Sequence, residues 1–92
     1  MRLETKCLYS GYTPKNGEAR VLPIYQSTTY QYDSTSKVGD LFDDPTQGYM
    51  YSRFANPTVC AVEAKINDLE GGVGAMCTTS GQAANLLAML NI

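Results

Sequence analysis

The sequence predicts a partial α/β fold: a long extended arm followed by the first helix, strand and helix of a larger domain. Three observations carry this expectation. Apolar residues at helical spacing begin only after Arg53. A short apolar run, Gly74 to Thr79, separates two helical stretches there. Ahead of them, residues 1–55 are dense in Gly, Pro, Ser, Thr and Tyr and show no sustained helical period.

Along the arm, Ser10-Gly11-Tyr12-Thr13-Pro14, Asn16-Gly17, Pro23, Pro45 and Gly48 interrupt any regular element. The stretch from Val21 to Tyr32 is rich in β-branched and aromatic residues, but it contains a proline and alternates poorly, so it reads as an arm rather than a central strand. So long a stretch without regular structure is uncommon inside a compact domain and points to a segment that wraps another surface. All seven tyrosines lie within residues 1–55, the amphipathic residues favoured at interfaces.

Asn56-Pro57 then places a capping amide before a proline whose fixed φ suits the first helical position. Val59, Val62, Ile66 and Leu69 form an apolar stripe, with Glu63, Lys65, Asn67 and Asp68 largely off it, and Gly71-Gly72 terminates the helix. Gly74 to Thr79 reads as a short buried strand, Ser80-Gly81 as a turn, and Gln82 to Ile92 as a second helix. That second helix is apolar nearly all round and needs cover on every side. An arm and two helices cannot supply it, so the sequence reads as the start of a larger fold.

Composition narrows the chemistry. The 92 residues carry a formal charge of −2 with no clustering of the seven Lys and Arg, so no basic face is available for nucleic acid. No apolar run approaches the roughly 20 residues of a membrane-spanning helix, and the first residues lack the apolar core of a secretory signal, so a cytoplasmic protein is expected. Three widely spaced cysteines fit reduced thiols better than a disulfide framework or a zinc site. With no histidine, catalysis built on an imidazole base is excluded for these residues, and no metal is expected.

Two places can bind an anion. At Ser80-Gly81-Gln82, successive backbone N–H groups and the positive end of a helix dipole converge, a suitable seat for a phosphate. At Tyr49-Met50-Tyr51-Ser52-Arg53, the Tyr51 phenol and Arg53 guanidinium are two residues apart on an extended segment and point to one side. By local pattern, Ser-Gly before a helix is more often a plain cap, and a surface arginine packed on a tyrosine is the commoner arrangement at position 53, so both alternatives stay open.

Tyr51-Ser52-Arg53-Phe54-Ala55-Asn56-Pro57-Thr58, followed by Leu69-Glu70-Gly71 and Ser80-Gly81-Gln82-Ala83-Ala84, resembles the N-terminal quarter of the Cys/Met-metabolism enzymes that use pyridoxal 5′-phosphate (PLP). The likeness extends to Ser10-Gly11-Tyr12 and to Leu22 through Tyr30. The resemblance implies the α/β PLP-transferase (type I) fold, with residues 1–55 as an N-terminal arm and interface segment and residues 56–92 as the start of the PLP-binding large domain. It implies PLP as cofactor, its phosphate held by the backbone amides of Gly81 and Gln82. It implies a homo-oligomer, dimer or tetramer, in which Tyr51 and Arg53 reach across the interface to the neighbouring subunit's cofactor phosphate. A small amino-acid substrate is implied as well. Tyr9 stands where the family usually has His. The family's cofactor-attaching lysine, ring-stacking tyrosine, pyridine-pairing aspartate and carboxylate-binding arginine lie beyond the position of Ile92, so no residue of this chain is assigned a catalytic role. Gln82, where lyases and γ-synthases usually carry Met or Leu, resembles the O-acetylhomoserine sulfhydrylase branch most. Cystathionine γ-synthase, methionine γ-lyase and a non-catalytic fragment that pairs with a longer homologue are the alternatives.

Overall fold

A computed structural model describes all residues from Met1 to Ile92. Its regular structure is helical: α1 (Leu3–Tyr9), α2 (Thr35–Asp43), α3 (Pro57–Glu70) and α4 (Gly81–Asn91), with a 3-10 turn at Pro45–Gln47. One isolated antiparallel bridge, Thr29 to Tyr51, is the sole β pairing.

The capping signals at α3 act as the sequence predicts. Asn56 Oδ1 accepts from the N–H groups of Thr58 at 2.9 Å and Val59 at 3.4 Å, and Pro57 occupies the first turn. At the other end Gly71 takes the left-handed conformation, φ 68° and ψ 29°, which glycine adopts without steric cost. The Gly72 N–H donates to the Asn67 carbonyl at 3.0 Å, satisfying one of the last-turn acceptors. α4 starts one residue earlier than its pattern predicts, because Ser80 takes the cap position and its Oγ accepts from the Ala83 N–H at 3.1 Å.

Two expectations need correction. Residues 1–55 are not wholly extended, since α1 and α2 both form there. α1 has seven residues, too few for a periodic stripe to register, and it is held by contacts to α3 rather than by its own pattern. α2 is capped by Ser34, whose Oγ accepts from the Lys37 N–H at 3.3 Å, and an i,i+4 ion pair joins Lys37 to Asp33 at 3.3 Å. Its apolar residues Val38, Leu41 and Phe42 are correctly spaced, but the intervening Gly39 and the short length mask the signal. The second correction concerns Gly74 to Thr79, which forms no strand. A strand exists by hydrogen bonding to a neighbour, and no partner strand lies within these residues. The segment is anchored instead by the Cys77 N–H, which donates to Glu63 Oε2 at 2.7 Å.

α1 packs on α3 through polar contacts. Lys6 Nζ lies 3.2 Å from Asp68 Oδ1, the Ser10 hydroxyl donates to Asp68 Oδ2, and Lys65 Nζ donates to the Cys7 carbonyl at 3.1 Å near the end of α1. Gly11, at φ +92°, lets the chain leave α1 against α3, where a Cβ would run into the Ala61 carbonyl oxygen. Thus the polar residues beside the α3 stripe, Lys65 and Asp68, hold α1 in place.

Little of the chain is enclosed. Leu41, Ser10 and Asn56 are the buried residues, and only the first is apolar. The exposed surface is 7754 Å², against about 5,200 Å² for a compact protein of this mass. The Cα radius of gyration is 15.4 Å, against about 12 Å for a compact domain of this length. On α4, Leu86, Leu87, Met89 and Leu90 are 42–74% exposed, so the cover its sequence demands does not come from these residues.

Candidate functional site

Tyr51 and Arg53 sit at the junction of the arm and α3. Tyr51 pairs with Thr29 across the bridge, and the Ser52 N–H donates to the Thr28 carbonyl at 2.8 Å. The chain then turns, with the N–H groups of Phe54 and Ala55 donating to the Tyr51 carbonyl at 3.0 and 3.1 Å. Tyr51 and Arg53 therefore meet around a turn, and the extended geometry expected for them is corrected. The turn brings the Arg53 guanidinium over the Tyr51 ring, 5.2 Å from its centroid, while Phe54 meets the same ring edge-on at 5.6 Å. Arg53 is exposed and pairs with no carboxylate, so its donors are available to an anion.

This turn rests on a polar cluster that the sequence pattern does not announce. Asn56, 8% exposed, donates from Nδ2 to the Tyr25 carbonyl at 3.0 Å, to Ser52 Oγ at 3.1 Å and to the Tyr30 hydroxyl at 3.4 Å. Ser52 Oγ lies 3.1 Å from the Tyr30 hydroxyl and also donates to the Ser27 carbonyl. One residue into α3, Thr58 Oγ1 donates to the Pro23 carbonyl at 2.9 Å and accepts from the Tyr25 N–H at 3.0 Å. Asn56 reads in the sequence as a cap alone. The available further signal is the density of hydroxyl residues between Ser27 and Tyr30, opposite Ser52.

The second group of site residues lies at the head of α4. Ser80 satisfies the Ala83 N–H, whereas the N–H groups of Gly81 and Gln82 have no acceptor within the chain. Both residues are exposed, and the space beside the Gly81 Cα is open. Two free amides at the positive end of an 11-residue helix have the donor chemistry a phosphate requires. No hydrogen bond or ring contact links this helix head to Tyr51 or Arg53.

Ionisation elsewhere follows local contacts. The Ser10 hydroxyl and then the Lys6 ammonium hold the Asp68 carboxyl below its ordinary value of 3.8. Burial, reinforced by the adjacent Cys60, raises the Tyr49 phenol above 10.0. A cleft of about 280 Å³ lies between α1, the segment from Tyr12 to Leu22, and α3, lined mainly by apolar side chains that include Leu8, Val62 and Ile66. No cluster of three His, Cys, Asp or Glu side chains could hold a metal ion. No helix is long and apolar enough to cross a membrane.

Residues 4–92 match the family described as Cys/Met metabolism PLP-dependent enzyme, and the chain belongs to that family. It is 41% identical to the O-acetyl-L-homoserine sulfhydrylase of Leptospira meyeri, over 97% of this chain and 20% of that protein. Identity to the Corynebacterium glutamicum O-acetyl-L-homoserine sulfhydrylase is 44%, over 97% of this chain and 21% of the relative. O-acetyl-L-homoserine sulfhydrylase 1 of Thermus thermophilus is 41% identical over the whole chain and 22% of its own length. The chain thus spans about a fifth of the length of these relatives. Membership implies the PLP-transferase fold; the residues here form four helices and one isolated β-bridge.

Proposed function

We propose that this chain is the N-terminal, cofactor-anchoring part of a PLP-dependent O-acetylhomoserine sulfhydrylase, which replaces the acetate of O-acetylhomoserine with sulfide to give homocysteine. The names of the relatives support the reaction. The observation that carries the anchoring role is the pair of unpartnered amides at Gly81 and Gln82 on the head of α4. In this proposal they hold the phosphate of PLP. Arg53, stacked on Tyr51 and free of any carboxylate, adds its guanidinium to the phosphate bound by a neighbouring subunit. Residues 1–55 are then the interface segment of a cytoplasmic homo-oligomer, and residues 56–92 the start of its large domain. When bound, PLP supplies the electron sink for eliminating the acetate; these residues supply its orientation and charge balance.

Arg53→Ala in the complete enzyme tests the reading. A charge-assisted hydrogen bond to phosphate is worth about 1.5–3 kcal/mol, so PLP affinity should fall roughly 10- to 150-fold in an absorbance titration. Lys15→Ala, on an exposed turn, should leave it unchanged. Wild-type affinity in Arg53→Ala would return Arg53 to the role of a surface arginine packed on a tyrosine.

A further inference from the structure

We propose that Asn56 is a positioning residue for the Tyr51–Arg53 turn, acting through Ser52 and Tyr30; the inference rests on the anion-binding role given to that turn above. Asn56 is one of three buried residues in a chain that is otherwise open. Its two ends do different work. Oδ1 caps α3 through Thr58 and Val59, while Nδ2 faces the other way and meets Tyr25, Ser52 and Tyr30 on the arm side.

The consequence is a defined register between three pieces of chain. The Ser52 N–H and hydroxyl reach the Thr28 and Ser27 carbonyls, so Ser52 is fixed to the arm at both backbone and side chain. Asn56 ties that same hydroxyl to the first turn of α3. Ser52 lies between Tyr51 and Arg53, so the clasp fixes the residue on which the guanidinium-over-ring geometry pivots. A helix cap alone requires only an acceptor at position 56. The donor half of the amide is what distinguishes the positioning role, because a carboxylate there keeps the cap and cannot donate to Ser52, Tyr30 or Tyr25.

Asn56→Asp and Ser52→Ala in the complete enzyme, compared with Arg53→Ala, separate the possibilities. Two measurements are made on each: PLP affinity by absorbance titration, and hydrogen exchange at the Ser52 amide in the protein stripped of cofactor. The expected result is that Asn56→Asp and Ser52→Ala each weaken PLP binding about fivefold, the loss of an ordinary hydrogen bond. Exchange at residue 52 should accelerate in both while protection within α3 is retained. Arg53→Ala should weaken PLP binding without changing exchange at Ser52. Wild-type PLP affinity in both clasp variants, alongside weakened binding in Arg53→Ala, would overturn the positioning role and leave the phosphate-binding role standing. Wild-type affinity in Arg53→Ala would remove that role and the positioning inference with it. Should Asn56→Asp fail to fold, Ser52→Ala and Tyr30→Phe, which leave the cap untouched, decide the same question.

Discussion

Gly11 shows what one absent methylene group allows. Its φ of +92° lies where only glycine is unstrained, and a Cβ at this position would meet the Ala61 carbonyl and, at 3.1 Å, the Lys65 amide nitrogen. Those are backbone atoms of α3 and cannot swing aside as a flexible side chain would. Gly11→Ala should therefore displace α1 from α3, at a cost above the roughly 1 kcal/mol of an ordinary left-handed alanine. In the complete enzyme proposed above, loss of hydrogen-exchange protection over residues 3–11 would record it; wild-type protection there would show that the junction can yield. Gly17 has a similar φ of +83° but open space around it, so Gly17→Ala should show the conformational cost alone.

Among the elements, α3 was legible and α1 was not, for a physical reason. The boundaries of α3 are set by Asn56, Pro57 and Gly71, whose effects are local and visible in the order of residues. α1 depends on Asp68 and Lys65, about sixty positions away, and no local pattern announces such a partner. Gly74 to Thr79 fails in the opposite direction: its composition suits a strand, yet strand formation needs a neighbour that these residues do not supply. At the candidate site, the Ser80 cap at the head of α4 was legible in the chain, whereas the turn that brings Arg53 over Tyr51 was not, because the clasp beneath that turn requires Tyr25, Ser27 and Tyr30 to be brought beside Ser52. The docking of α1 should also respond to acid. The Asp68 carboxyl lies below its ordinary 3.8 in the folded chain, so its contribution is present above that value and is lost as pH falls through the depressed one. Protection of α1, corrected for intrinsic exchange rates, should therefore decline below about pH 4, and Asp68→Asn should abolish the dependence on pH. Equal protection of α1 at pH 3 and pH 6 in the wild type would exclude Asp68 as the controlling group.

At the scale of the whole molecule, local order is not matched by a core. Four helices are present, three of them with a side-chain N-cap, but Leu41 is the only buried apolar residue. Secondary structure without burial lacks the main favourable term in folding, and the entropy cost of ordering the chain still has to be met. The polar clasp at Asn56 and the Asp68 contacts cannot replace it, since net hydrogen bonds contribute about 1 kcal/mol each and exposed ion pairs less. The 92 residues in isolation should therefore unfold over a broad range of temperature, and their exposed Leu86, Leu87, Met89 and Leu90 should bind a hydrophobic dye or drive self-association. Substituting Leu86 and Leu90 by Gln should reduce the dye signal and the association without restoring a sharp transition, because it removes exposed apolar surface and builds no core. In the complete enzyme the same pair should instead destabilise the fold, by several kcal/mol if both side chains become buried there. Calorimetry on both proteins decides it: a sharp two-state transition of monomeric 92-residue chain, with calorimetric and van't Hoff enthalpies equal, would show that these elements hold together without the cover their surfaces call for.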